Sequence, residues 1–226
     1  QTTAGTCKEG AEETIFRALA LRNMELPVGD FINEALEKSV PDSARKLLAS
    51  NVVDEENHDL ALGFIANAYG VDAKAEKEAL ALQKAWTSHP DHTITKAMVA
   101  ERAIFFVLLP FFRFNGDAGM RTVSADISRD EQIHVATNSL VHTELGLDIS
   151  PSLDKLRKAT INWVMQPLGI NTQDKYLDKK FWLDSSDRLM YEGKAPELSE
   201  TKSARMPAFF EHSNVNLPQY AGSKFS

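Results

Sequence analysis

The strongest constraint on this chain is a set of four glutamates that lie on apolar helical stripes, where core residues belong. Across residues 41–69 the stripe is Leu48, Val52, Leu62, Ile65 and Tyr69, and Glu55 and His58 fall in its middle. Across 93–114 it is Met98, Phe105, Leu108 and Phe112, with Glu101 at the missing step. Across 119–145, Ile127, Val141 and Leu145 flank Glu131 and His134; nearer the start, Ala18, Leu21, Val28 and Ile32 flank Glu25. An amphipathic helix keeps charge on the face opposite its apolar stripe, so four exceptions call for a common cause.

Two of the four open Glu-x-x-His pairs, Glu55/His58 and Glu131/His134. A three-residue step on an α-helix turns about 300° and rises about 4.5 Å, so both members of a pair can reach one ion. Glu25 and Glu101 each precede a pair by 30 residues, giving the order Glu, Glu-x-x-His, Glu, Glu-x-x-His. That is the ligand set of carboxylate-bridged di-iron and di-manganese four-helix bundles. Energetics point the same way. Each buried ion costs several kcal/mol, against a domain stability of about 5–15 kcal/mol, so four unpaired carboxylates would threaten the fold. Two divalent cations cancel their charge, with protonation serving the metal-free form. Oxygen and nitrogen donors without thiolate suit iron or manganese.

The remaining chain is helical by period. Helices are expected over about 8–38 with a kink or break at Pro27, over 41–69 stopped by Gly70, and from an Asp72 cap to about Trp86. Others are expected over 93–114, interrupted at Pro110; over 119–145, stopped by Gly146; from Ser150-Pro151; and over 173–191. No strand pattern appears, so the expected class is all-α. Beyond Gly193 the period is lost among Pro196, Pro207 and Pro218, dividing the chain into a domain over 1–195 and a mobile tail over 196–226. His89 and His92 read as a surface loop, and Trp163 and Trp182 as packing anchors.

The formal charge of −7 comes from 32 acids and 25 bases. Setting the four striped glutamates aside leaves 28 acids against those 25 bases, an ordinary surface. No basic face is available for a nucleic-acid backbone. The single cysteine, Cys7, rules out an internal disulfide and a cysteine zinc cage, and the expected compartment is the cytoplasm. The longest apolar run, Ala103 to Phe112, is too short for a bilayer core of about 30 Å, and no membrane association is expected.

Ile127-Ser128-Arg129-Asp130-Glu131-Gln132-Ile133-His134 resembles the R-D-E-x-x-H helix of the small, radical-generating subunit of class I ribonucleotide reductase. Pro41-Asp42-Ser43-Ala44-Arg45 leading to Asp54-Glu55-Glu56-Asn57-His58 is similar to that family's second ligand helix. Glu101-Arg102-Ala103-Ile104-Phe105-Phe106 resembles its E-G-I-x-F segment, and Phe209-Phe210-Glu211 its closing helix. The short chain is similar to compact forms carried by some bacteriophages. The resemblance implies a ferritin-like four-helix bundle with extra C-terminal helices. It implies metal ligands Glu25, Glu55, His58, Glu101, Glu131 and His134, with Glu34 as the nearest alternative to Glu25. It further implies Asp130 as the acid that orients a ligand histidine, and an apolar metal pocket including Leu62, Phe105, Leu109 and Ile127. A homodimer is implied too, as is a tail that docks on the large catalytic subunit with Tyr220 as a relay.

The chain departs from that family at two places. Leu62 stands where the radical tyrosine lies, and no tryptophan precedes Trp86 to serve as the usual relay. The family's forms without that tyrosine store the oxidising equivalent on the metals, as in a manganese–iron pair. Three functions follow as expectations. The first is a reductase subunit that activates dioxygen or superoxide and initiates reduction of ribonucleoside di- or triphosphates in its partner, in the host cytoplasm if phage-encoded. The second is a stand-alone di-metal oxidase or oxygenase, and the third is ferritin-like iron storage.

Overall fold

The computed structural model describes residues 5–38 and 40–198. Every regular element among them is helical, apart from isolated bridges between Cys7 and Gly116 and between Gly169 and Asp178. The first helix, α1 (Glu12–Ala20), ends because nearby side chains take its last carbonyls. Arg22 Nη1 donates to Leu19 O at 3.0 Å and Asn23 Nδ2 to Ala20 O at 2.7 Å. The chain tightens into a 3-10 turn over Leu21–Met24, and α2 (Glu25–Glu37) follows directly. The expected break at Pro27 therefore falls earlier. Pro27 is the third residue of α2, in the first turn, where a missing N–H leaves no bond unmade.

Helix α3 (Asp42–Tyr69) stops at Gly70, whose φ of 90° is open to glycine at little cost. Helix α4 (Ala73–Thr87) starts on the Asp72 carboxylate, which accepts from Ala75 N at 2.6 Å. The apolar segment after the His89–His92 loop holds a second correction. Helices α5 (Thr93–Ala100) and α6 (Phe106–Asn115) are joined by a π-helical turn over Glu101–Phe105. Pro110 lies inside α6 without interrupting it, losing one backbone bond while buried Phe111 and Phe112 hold the helix in the core. The irregularity is at Glu101 instead.

Helix α7 (Ala118–Glu144) is capped by Asp117 and followed by Gly146 at φ 61°. Helix α8 (Pro151–Met165) has Ser150 as its cap. The single helix expected over 173–191 splits, because Asp174 and Asp178 each accept a backbone N–H two residues ahead. The result is a 3-10 turn, Lys175–Leu177, followed by α9 (Lys179–Glu192).

Helices α2, α3, α7 and α5 pack in a closed ring, α2 on α3, α3 on α7, α7 on α5 and α5 on α2. Helices α1, α4, α8 and α9 pack around it, anchored by two tryptophans with no exposed surface, Trp86 and Trp182. Trp163 is only half-buried and donates to Glu78 at 2.7 Å. The loop histidines are engaged locally, His89 with Ser152 and Asp91, and His92 with Ile94 N. Among the described residues, no helix is long and apolar enough to cross a membrane. The chain beyond α9 continues into a short turn, Pro196–Leu198, with Leu198 buried. Tyr220 and Phe209-Phe210-Glu211 lie outside the described residues.

Candidate metal centre

The ring encloses the acids that the stripe pattern singles out. Glu55 and His58 project from α3, Glu131 and His134 from α7, Glu25 from the first position of α2, and Glu101 from the start of the π turn. None of the six is more than 3% exposed. Glu34, the alternative to Glu25, is exposed and bonded to Lys38.

Each histidine turns one ring nitrogen inward. His58 Nδ1 lies 3.3 Å from Glu131 Oε1, 3.8 Å from Glu25 Oε2 and 3.9 Å from Glu55 Oε2. His134 Nδ1 lies 3.2 Å from Glu55 Oε1 and 3.7 Å from Glu131 Oε1. The outward nitrogens meet acids on the opposite helix. His58 Nε2 is 3.2 Å from Asp130 Oδ2 on α7, and His134 Nε2 is 3.0 Å from Asp54 Oδ2 on α3. An ionised carboxylate only accepts, so each Nε2 carries the proton and a neutral ring keeps the Nδ1 lone pair for the interior. Asp130 thus lies against His58. Its counterpart Asp54 stands in the quoted motif but was given no role from the sequence, although Asp54-Glu55 repeats the order of Asp130-Glu131.

The interior atoms lack ordinary partners. Glu25 Oε2, both oxygens of Glu55 and of Glu131, and Nδ1 of both histidines are buried without a hydrogen bond. An orphaned polar atom in a dry interior costs about 1–3 kcal/mol, and more if charged, so seven in one cluster make it a candidate site for a cation. Their spacing fits metal ions. Donor atoms from Glu25, Glu55, His58 and Glu131 all lie within 4.8 Å of one another, as do those from Glu55, Glu101 and His134. Donors about 2 Å from a shared ion stand up to about 4–4.5 Å apart, so modest closure suffices. These buried groups are able to hold a metal ion, and Glu55 is common to both sets.

Glu101 is held differently. Asn51 Nδ2 donates to its Oε1 at 3.1 Å and Asn138 Nδ2 to its Oε2 at 2.6 Å. Neither asparagine was singled out from the sequence; the available signal was an amide on the buried face, one turn before Glu55 and one turn after His134.

Electrostatics describe a cluster that holds protons when no cation is present. Burial lifts Glu25 and Glu55 well above the ordinary carboxylate range, helped at Glu25 by the Glu55 charge and at Glu55 by the charges of Glu131 and Glu101. Burial and the Glu131 charge push Glu101 up to about 8. Burial alone would lower both histidines, but the surrounding carboxylates, Glu131 foremost, raise each to about 9. Glu131 is lowered, its own desolvation outweighed by the two imidazoles.

The expected pocket residues are all buried. Leu62 is one turn beyond His58, Ile127 one turn before Glu131, Phe105 ends the π turn and Leu109 follows on α6. A surface cavity of about 320 Å³ is lined by Phe106, Pro110, Ser128, Gln132, Leu189 and Leu198 among others. None of the six candidate ligands lines it. No family model, curated protein or solved structure matches this chain.

Proposed function

We propose that the chain is a ferritin-like small subunit of a class I ribonucleotide reductase, with a dinuclear iron, manganese or mixed centre in place of a tyrosyl radical. The observation that carries this reading is the convergence of two crossed Asp-Glu-x-x-His pairs with Glu25 and Glu101 in one buried cluster. Four carboxylates and two imidazoles match the ligand set of di-iron and di-manganese carboxylate bundles. The closed ring of four helices is consistent with the ferritin-like arrangement.

When bound, iron or manganese would supply one-electron oxidising power. The protein's own contribution is to ligate, orient and keep the site dry. Glu55 reaches both donor sets. Asp130 and Asp54 hold a proton on Nε2 of His58 and His134, which aims each Nδ1 inward. Leu62, Phe105, Leu109 and Ile127 exclude water from the interior. With Leu62 one turn from His58, no phenol stands there to hold a radical, so bound metals would have to supply the oxidising equivalent. The partner is the large catalytic subunit, engaged through the tail carrying Tyr220, and the assembly is a homodimer in the cytoplasm, that of the host for a phage-encoded chain.

The test is aerobic reconstitution with iron, manganese and both, followed by metal counting, electron paramagnetic resonance and assay with the matched large subunit. Two metals per chain, a coupled metal signal and deoxynucleotide formation are expected. A tyrosyl doublet would contradict the role given to Leu62, and no turnover under any loading would remove the reductase assignment. The second reading, a stand-alone di-metal oxidase or oxygenase, is favoured by Leu62 and by the lack of an early tryptophan. It requires oxidation of a small organic substrate without a partner protein.

A further inference from the structure

Beside the six candidate ligands stand two buried amides, Asn51 and Asn138. They are 1% and 0% exposed, on different helices, and both donate to the same carboxylate. A buried amide costs free energy unless it is bonded, so each is retained for what it holds. A carboxylate offers about four lone-pair positions; two amide donors occupy two and leave the rest for a cation. The other three acids lack such restraint, since both oxygens of Glu55 and of Glu131 and one of Glu25 have no hydrogen bond.

The two donor sets are also unequal. One has four residues, Glu25, Glu55, His58 and Glu131; the other has three, Glu55, Glu101 and His134. Three carboxylates and an imidazole attract a divalent cation more strongly than two carboxylates and an imidazole. The smaller set depends more on its ligands being in place beforehand, because a fixed ligand loses little conformational freedom on binding.

We infer that Asn51 and Asn138 are positioning residues that preset Glu101, and that the two metal positions are inequivalent, the four-residue position filling first and the Glu101 position second. The inference rests on the dinuclear reading and adds to it an order of filling and the residues that set the second affinity. Glu101 opens the π turn, so its backbone has a different register from the α-helix before it. The amides on α3 and α7 fix the carboxylate from two other helices of the ring.

The test is titration of the metal-free full chain with Mn²⁺ under anaerobic conditions, with free Mn²⁺ counted from its six-line paramagnetic signal. Two steps are expected. Asn51→Ala and Asn138→Ala should each weaken the second step by about 10–100-fold and leave the first within about twofold, so that the first step reports whether the variant is folded. Glu101→Gln should remove the second step alone, and adding either asparagine change to it should then have no further effect on metal binding. Parallel loss of both steps, an unchanged second step, or two ions bound with one affinity would each overturn the inference while leaving the dinuclear reading intact. A wild-type chain that takes up one ion or none would overturn the dinuclear reading, and the order of filling with it.

Discussion

Glu55 carries more of the centre than any other side chain, because it belongs to both donor sets. Glu55→Ala should therefore abolish uptake of both metals, whereas Glu25→Ala should cost the four-residue position alone, as metal counting after gel filtration would read. Equal loss in both variants would mean that the two positions are not separately built. Proton linkage gives a second prediction at this scale. Glu101 holds its proton up to about pH 8, and each imidazole holds its charge up to about pH 9. Ligation needs the bare carboxylate and the neutral ring, so metal uptake expels protons and apparent affinity rises from pH 6 to 9, about tenfold per pH unit for each proton released. Stability of the metal-free chain runs the other way. Groups whose folded pKa lies above the unfolded value stabilise below the unfolded value and lose that contribution as pH climbs through the folded one. A pH-indicator dye should register acid release on Mn²⁺ addition at pH 7; no release would show that the cluster is already deprotonated. The ligands were legible because a charge on an apolar stripe contradicts helical patterning. The residues that hold them were less so: Asp54 is half-exposed and looks like any surface acid, and Asn51 and Asn138 carry no charge to make their burial conspicuous.

At the scale of elements, the approach of α2 to α3 sets the centre's width, and Gly29 lies at that approach. A Cβ at this position, one turn beyond Glu25, would stand 3.5 Å from Glu55 Cβ and 3.7 Å from Glu55 Cγ. Those are ordinary contacts, so Gly29→Ala should be tolerated and should gain up to about 1 kcal/mol of helix propensity. Gly29→Leu has no such room. Overpacking costs about 1–3 kcal/mol, and here the strain falls on Glu55, so melting temperature and metal affinity should drop together. A leucine variant with full affinity would show that the helices separate without moving the ligand. The helix ends were readable where side chains or glycines make them: Asp72 and Ser150 at starts, Gly70 and Gly146 at stops. The turn at Leu21–Met24 was not, because the polar side chains that end α1 look like ordinary surface residues. Nor was the π turn, since widening one turn leaves the apolar composition of 93–114 unchanged. Pro27 misled because a proline marks a lost N–H, which matters only where that N–H would have had a partner; Pro110 does lose one bond, but its buried neighbours Phe111 and Phe112 keep the helix intact.

Across the whole molecule, buried charge outside the centre is partnered. Arg157, 1% exposed, is bonded to Asp154, Asp187 and Ser186. Lys96 donates to the carbonyls of Thr87 and His89 and lies 4.2 Å from the Phe31 ring centroid. Buried acid and imidazole atoms without a hydrogen bond gather at the middle of the ring of α2, α3, α5 and α7, where Glu25, Glu55, Glu131, His58 and His134 meet. The metal-free fold keeps that arrangement only by retaining protons, and cations that bind the folded chain alone must stabilise the entire domain. Each site filled at 100 times its dissociation constant contributes about 2.7 kcal/mol, so two contribute about 5 kcal/mol. For a chain of this length about 2–4 °C accompanies each kcal/mol, which places the expected rise in melting temperature at about 10–20 °C. Scanning calorimetry of the chelator-treated protein with and without Mn²⁺ measures it directly. The rise should be larger at pH 8 than at pH 6, because fewer protons then compete for the same atoms. An equal melting temperature in both states, at both pH values, would mean that protons alone neutralise the cluster and that its acids were not assembled to hold a metal.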